Sequence, residues 1–112
     1  MKALLLAAAL AAAGTTASAV DYAQVQPALH RNGCDGCHDV DTQVSGPSYH
    51  AIATRYATRP DVRTYLADKI RKGSVNTWGA AAMPPIPQID DLELKNVVEW
   101  LATGAPGPDA PR

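Results

Sequence analysis

The sequence predicts a small all-α protein, one domain of four to five short helices. Apolar residues recur at steps of three and four in four separate segments, and no run alternates apolar with polar as a half-buried strand does. Gly- and Pro-containing stretches divide the segments, and 112 residues leave room for one domain only.

The chain opens with Lys2, an unbroken apolar run from Ala3 to Ala13, and then Gly14-Thr15-Thr16-Ala17-Ser18-Ala19. A membrane-spanning helix needs about 20 apolar residues, so this shorter run with small residues at its end reads as a secretory signal peptide, residues 1–19, cleaved after Ala19. No other segment offers a membrane span. The remaining chain is short, and at that length it buries only about 60–65% of its unfolded surface and needs a staple. The formal net charge of −1 argues against a nucleic-acid partner.

In the first helix Tyr22, Val25 and Leu29 form the buried stripe, and Pro27 either kinks that helix or starts it. Gly33 then leads into Cys34-Asp35-Gly36-Cys37-His38, the attachment motif of a c-type haem. Cysteines three apart lie on one side of a single helical turn, where both thiols can add to the vinyl groups along one porphyrin edge. His38 follows as the axial ligand to iron. A thioredoxin-like dithiol would want a βαβ setting, and a zinc site needs ligands the chain lacks. One haem c, held through Cys34 and Cys37, is the expected staple.

A second helix follows Gly46-Pro47, with Tyr49, Ile52, Ala53 and Tyr56 at helical spacing. The third follows Pro60, carries Val62, Tyr65, Leu66 and Ile70 on one face, and stops at Gly73. The last has Asp90 as N-cap with Glu93 three residues on, buries Leu94, Val97, Val98 and Leu101, and ends at Gly104. Residues 20–104 thus form the domain, and the Pro- and Gly-rich 105–112 read as a disordered tail.

Between the third and last helices, Ser74 to Ile89 has no periodicity, and structureless loops of that length in a small domain are usually functional. It holds Met83, the one methionine besides Met1, followed by Pro84 and Pro85, which fix the backbone and remove two donors. A soft thioether on a stiff loop suits the sixth position of haem iron. Met83 leads the candidates, ahead of His50 and an open position. His30 lies too near Cys34 to reach the opposite face.

Several motifs in order resemble one family. They are the Cys34–His38 motif, Gly46-Pro47-Ser48-Tyr49, Lys69-Ile70-Arg71-Lys72-Gly73, Trp78-Gly79, Met83-Pro84-Pro85 and Val98-Glu99-Trp100. From about Leu29 to Leu101 the chain is similar to small bacterial class I cytochromes c of the c-551 type. That resemblance implies the cytochrome c fold, helices wrapped around one covalent haem, and electron transfer in the periplasm. It implies that the Pro47 carbonyl accepts from the His38 ring, that Trp78 points its indole N–H at a haem propionate, and that Gly33 lets the first and last helices cross closely at Trp100. Ala81, Ala82 and Ile86 depart from the family pattern, so no side-chain hydrogen bond to the Met83 sulfur is expected.

His38 and Met83 together fill both axial positions, which favours an electron carrier over an enzyme. The expected partners are redox proteins: periplasmic reductases, oxidases or quinol-oxidising complexes. The alternatives are a haem enzyme or gas sensor with Met83 displaced, or a haem subunit of a larger oxidoreductase rather than a monomer. Six basic residues, Arg55, Arg59, Arg63, Lys69, Arg71 and Lys72, face only Asp61 and Asp68 between 55 and 72, while both flanking regions are acidic. This asymmetry predicts a molecular dipole that steers docking.

Overall fold

A computed structural model of the chain describes Ala3, Leu4 and residues 19–111. Most of the segment read as a signal peptide lies outside the described residues. Four α-helices follow in order: α1 (Tyr22–Arg31), α2 (Tyr49–Tyr56), α3 (Val62–Lys72) and α4 (Asp91–Ala102), with a 3-10 turn at Cys34–Gly36 between α1 and α2. Among the described residues the only β pairing is two isolated bridges, His38 with Gln43 and Ser74 with Met83, and no helix is long and apolar enough to cross a membrane.

Each helix start has a local cause. Asp21 and Gln24 cap α1 reciprocally: Asp21 Oδ1 accepts from the Gln24 N–H at 3.0 Å, and Gln24 Oε1 accepts from the Asp21 N–H at 2.8 Å. The helix therefore starts at Tyr22 and runs through Pro27. Pro27 and Ala23 are not buried, so the carbonyl deprived of its donor can face water. Ser48 caps α2, its Oγ accepting from Ala51 at 3.0 Å. Asp90 caps α4 through Leu92 and Glu93, but the Glu93 side chain does not reach back to close a capping box. It accepts from Arg31 Nε at 2.9 Å and Asn32 Nδ2 at 2.9 Å, tying α4 to the end of α1.

Helix α4 lies at the centre, packed against α1, α2 and α3. Trp100 is wholly buried, with Val25 and Leu29 beside it among the most deeply buried side chains. Its indole N–H, taken out of water, needs an acceptor. The Pro106 carbonyl supplies one at 3.0 Å, and the Ala105 N–H bonds the Trp100 carbonyl at 2.8 Å. Ala105 is accordingly fully buried, and the segment expected as a disordered tail is packed where it leaves α4.

Gly33 serves a different purpose from the close crossing expected of it. A Cβ there would meet nothing within 4 Å, whereas its φ of +73° is the left-handed turn that takes the chain out of α1 and into the cysteine turn.

The basic stretch is also rearranged by the fold. Arg59 pairs with Asp61, Arg63 with Glu99, Arg71 with Asp91 and Lys72 with Asp68. Two of these pairs join α3 to the acidic α4 region, so part of the charge separation seen along the sequence is offset in space.

Candidate haem site

The cysteine turn is held by Gly36 N–H to Gly33 O at 3.3 Å, Cys37 N–H to Cys34 O at 3.1 Å and His38 N–H to Cys34 O at 2.9 Å. It places Cys34, Cys37 and His38 along one cavity, and Met83, Pro47 and Trp78 line the same cavity. All six residues singled out from the sequence are therefore brought together. The remaining wall is mostly apolar, with Leu29, Ile52, Leu66, Ile70, Val97 and Leu101 contributed by four helices.

His38 Nδ1 lies 2.6 Å from the Pro47 carbonyl oxygen. A carbonyl can only accept, so Nδ1 carries the proton and Nε2 keeps its lone pair. The seat requires glycine at position 46. A Cβ on Gly46 would stand 2.7 Å from His38 Cε1 and 3.2 Å from the Cys37 carbonyl oxygen. The Tyr49 ring packs 5.5 Å from the His38 ring, and its hydroxyl donates to Asp35 Oδ1 at 3.1 Å. Burial above all raises the Tyr49 hydroxyl well above its ordinary pKa, so it stays protonated and remains the donor.

Met83 is held as firmly from the other strand of backbone. Ser74 and Met83 exchange two hydrogen bonds, Ser74 N–H to Met83 O at 3.1 Å and Met83 N–H to Ser74 O at 2.9 Å, closing the base of the loop between them. The Ile86 N–H bonds Ile70 O at 2.9 Å just beyond the two prolines. Gly73, the stop of α3, lies against this segment: a Cβ there would be 2.5 Å from the Met83 carbonyl oxygen and 2.9 Å from Pro85 N.

The other histidines stand apart. His50 Nδ1 is 2.5 Å from Asp41 Oδ1, and His50 does not line the cavity. His30 is mostly exposed beside Asp35. Among the described residues no group of three or more His, Cys, Asp or Glu could hold a metal ion.

Three residues that the sequence named only within motifs, as a helix stop or as part of the basic stretch belong to the site: Gly46, Gly73 and Lys69. Among the described residues Lys69 is the only charged one in the lining, and a position inside a basic run gave no sign of that. Arg55 is a fourth. Its Nη1 donates to the Thr77 carbonyl at 2.9 Å and its guanidinium lies 4.3 Å over the Trp78 ring, clamping α2 to the Met83 loop.

The donor set fits a haem c: two thiols three residues apart on one wall, an imidazole with its Nε2 lone pair free, a thioether, and an apolar interior with one cation. The comparisons with known proteins agree. The family model described as "Cytochrome C oxidase, cbb3-type, subunit III" matches residues 22–101, and cytochrome c-552 of Hydrogenobacter thermophilus is 40% identical over 90% of this chain and 96% of its own.

The chain is a small class I c-type cytochrome. This cytochrome carries one covalently attached haem c. It is also 42% identical to cytochrome c-552 of Nitrosomonas europaea, over 73% of this chain and 81% of that protein. The crystal structure of the wild-type Nitrosomonas europaea cytochrome c552 superposes with a TM-score of 0.67 at 39% identity, covering 70% of this chain and 98% of that one. The all-α cytochrome c fold is thereby established, and the relatives are electron-carrier cytochromes.

Proposed function

We propose that this cytochrome is a periplasmic one-electron carrier whose iron is held by His38 and Met83, with no catalytic site of its own. The observation that carries the reading is that Cys34, Cys37, His38 and Met83 line one cavity while His50 lies outside it, bonded to Asp41. When bound, the haem supplies a one-electron iron couple. The chain's own residues do the rest. The Pro47 carbonyl orients His38 and raises the basicity of its Nε2. The Ser74 pairing and Gly73 fix the Met83 backbone, which limits how far its sulfur can move. A thioether favours the reduced metal, and the apolar wall excludes water and disfavours added charge, so both raise the potential. Lys69 and the Trp78 indole are the groups suited to the haem propionates, the one as a cation and the other as an N–H donor.

The partners are periplasmic redox proteins, reductases, oxidases or quinol-oxidising complexes, reached after removal of residues 1–19 as a signal peptide. The carrier works as a monomer. The family model's description as an oxidase subunit favours one other reading, a haem subunit of a larger oxidoreductase. Carbon monoxide tests the closed site. Reduced holoprotein exposed to it should keep its Soret band unshifted, whereas rapid formation of a carbonyl adduct would show an open position and favour a haem enzyme or gas sensor.

A further inference from the structure

The chain has four Tyr, two Trp and no Phe. Phe fills a core as well as Tyr and brings no hydroxyl that must find a partner, so packing alone does not account for this choice. All six aromatic side chains fall into two contiguous sets. Tyr22, Trp100, Tyr49 and His38 form one, with successive ring centroids 6.0, 5.1 and 5.5 Å apart. Trp78, Tyr56 and Tyr65 form the other, at 6.2 and 4.9 Å.

The first set runs from the haem-facing imidazole through the buried core to half-buried Tyr22 at the start of α1. Its middle member has what an oxidisable phenol needs: the Tyr49 hydroxyl is bonded to a carboxylate, Asp35, that can take its proton. Trp100 donates to a carbonyl, which is no base, so it can lose an electron but keeps its proton.

We propose that Tyr49, Trp100 and Tyr22 form a relay that carries oxidising equivalents from the haem to the protein surface when the cytochrome meets hydrogen peroxide, sparing the porphyrin and its ligands. The inference rests on the proposed reading of His38 as an iron ligand; with Met83 as the other ligand, peroxide would have to displace its sulfur before meeting the iron. Tyr49 gives an electron toward His38 and its phenolic proton to Asp35. Trp100 then returns an electron, and Asp35 the proton, to Tyr49, leaving the indole a radical cation. Tyr22 restores Trp100 with an electron and releases its own proton to water, ending as a phenoxyl radical. In the sum, one hydrogen peroxide takes one electron from the ferrous iron, one electron and one proton from Tyr22, and one proton from solvent, and becomes two waters.

The test treats ferrous holoprotein with excess hydrogen peroxide and follows three signals: tyrosyl radical by freeze-quench paramagnetic resonance, oxidative cross-linking at Tyr22 by peptide mass mapping, and loss of the Soret band. A low-spin, His-ligated spectrum before peroxide is added checks the ligand reading separately. Wild-type protein should be marked at Tyr22. Tyr49→Phe should cut that mark at least fivefold and speed Soret loss, and Asp35→Asn should slow the marking of Tyr22 severalfold. Tyr65→Phe, in the other aromatic set, should match wild type. A Tyr22 mark of equal yield in Tyr49→Phe, or none in wild type with a normal starting spectrum, would overturn the relay.

Discussion

Gly73 packs its α-carbon against the backbone of Met83, so closely that a Cβ would lie 2.5 Å from the Met83 carbonyl oxygen. Its φ of +76° with ψ of −179° is a backbone region essentially reserved for glycine. The residue that ends α3 is thus also the abutment that seats the methionine segment, and both roles exclude a side chain. Gly73→Ala should cost about 1–3 kcal/mol from backbone strain alone, and the displaced Met83 carbonyl should loosen the sulfur. Thermal melting of the holoprotein, read beside its ferric far-red absorption, checks both effects. A melt and spectrum equal to wild type would remove Gly73 from the account.

Arg55 makes the complementary connection from α2, through Thr77 O and the Trp78 face. Arg55→Ala should lower stability by about 1 kcal/mol, or about 4–8 °C in a domain of this size. Arg55→Lys keeps the charge but not the planar fork that bonds and stacks at once, so it should recover only part of the loss. Full recovery by lysine would assign the effect to charge alone.

Two acidic side chains of α4 couple pH to folding. The Arg31 and Asn32 hydrogen bonds hold the Glu93 carboxyl below its ordinary value of 4.5, and Arg63 does the same for Glu99. Groups with depressed folded values stabilise the fold above the unfolded value and lose that contribution as pH falls through the folded one. Melting temperature should therefore hold steady from pH 7 down to about 5 and decline below 4.5. Both carboxylates lie at the surface, so each contribution is small. Glu93→Gln with Glu99→Gln should flatten part of the acid limb, and an unchanged limb would show that other groups set it.

The haem itself should be part of the fold. Its pocket is walled by residues of all four helices, and the chain is short. Cys34→Ala with Cys37→Ala should leave a largely unfolded, protease-sensitive chain. Native-like helical circular dichroism with a cooperative melt in that double variant would show that the helices need no cofactor.

Much of this arrangement was legible along the chain. The four helices follow from apolar spacing and stop signals such as Gly73 and Gly104, and the haem motif and Met83 stand out because residue type and local spacing define them. What was hidden depends on contacts between distant segments. Gly46 against His38, and Gly73 against Met83, look like ordinary loop and cap glycines until the backbone is in place. Lys69 looks like one of six cations, yet four of the others are paired with carboxylates and Lys69 alone lines the cavity. Ala105 and Pro106 have the composition of a free tail, and the demand of one buried indole N–H overrides it. Glu93 matched a capping-box position, but two donors at the end of α1 claim its carboxylate.

The central claim is that Met83 completes the iron's coordination opposite His38, and the ferric sulfur-to-iron charge-transfer band in the far red tests it most directly. Met83→Ala should retain covalent haem through Cys34 and Cys37 and lose that band. It should also admit water or an added ligand at the sixth position and lower the reduction potential. A Met83→Ala protein that keeps the band at an unchanged potential would contradict the assignment.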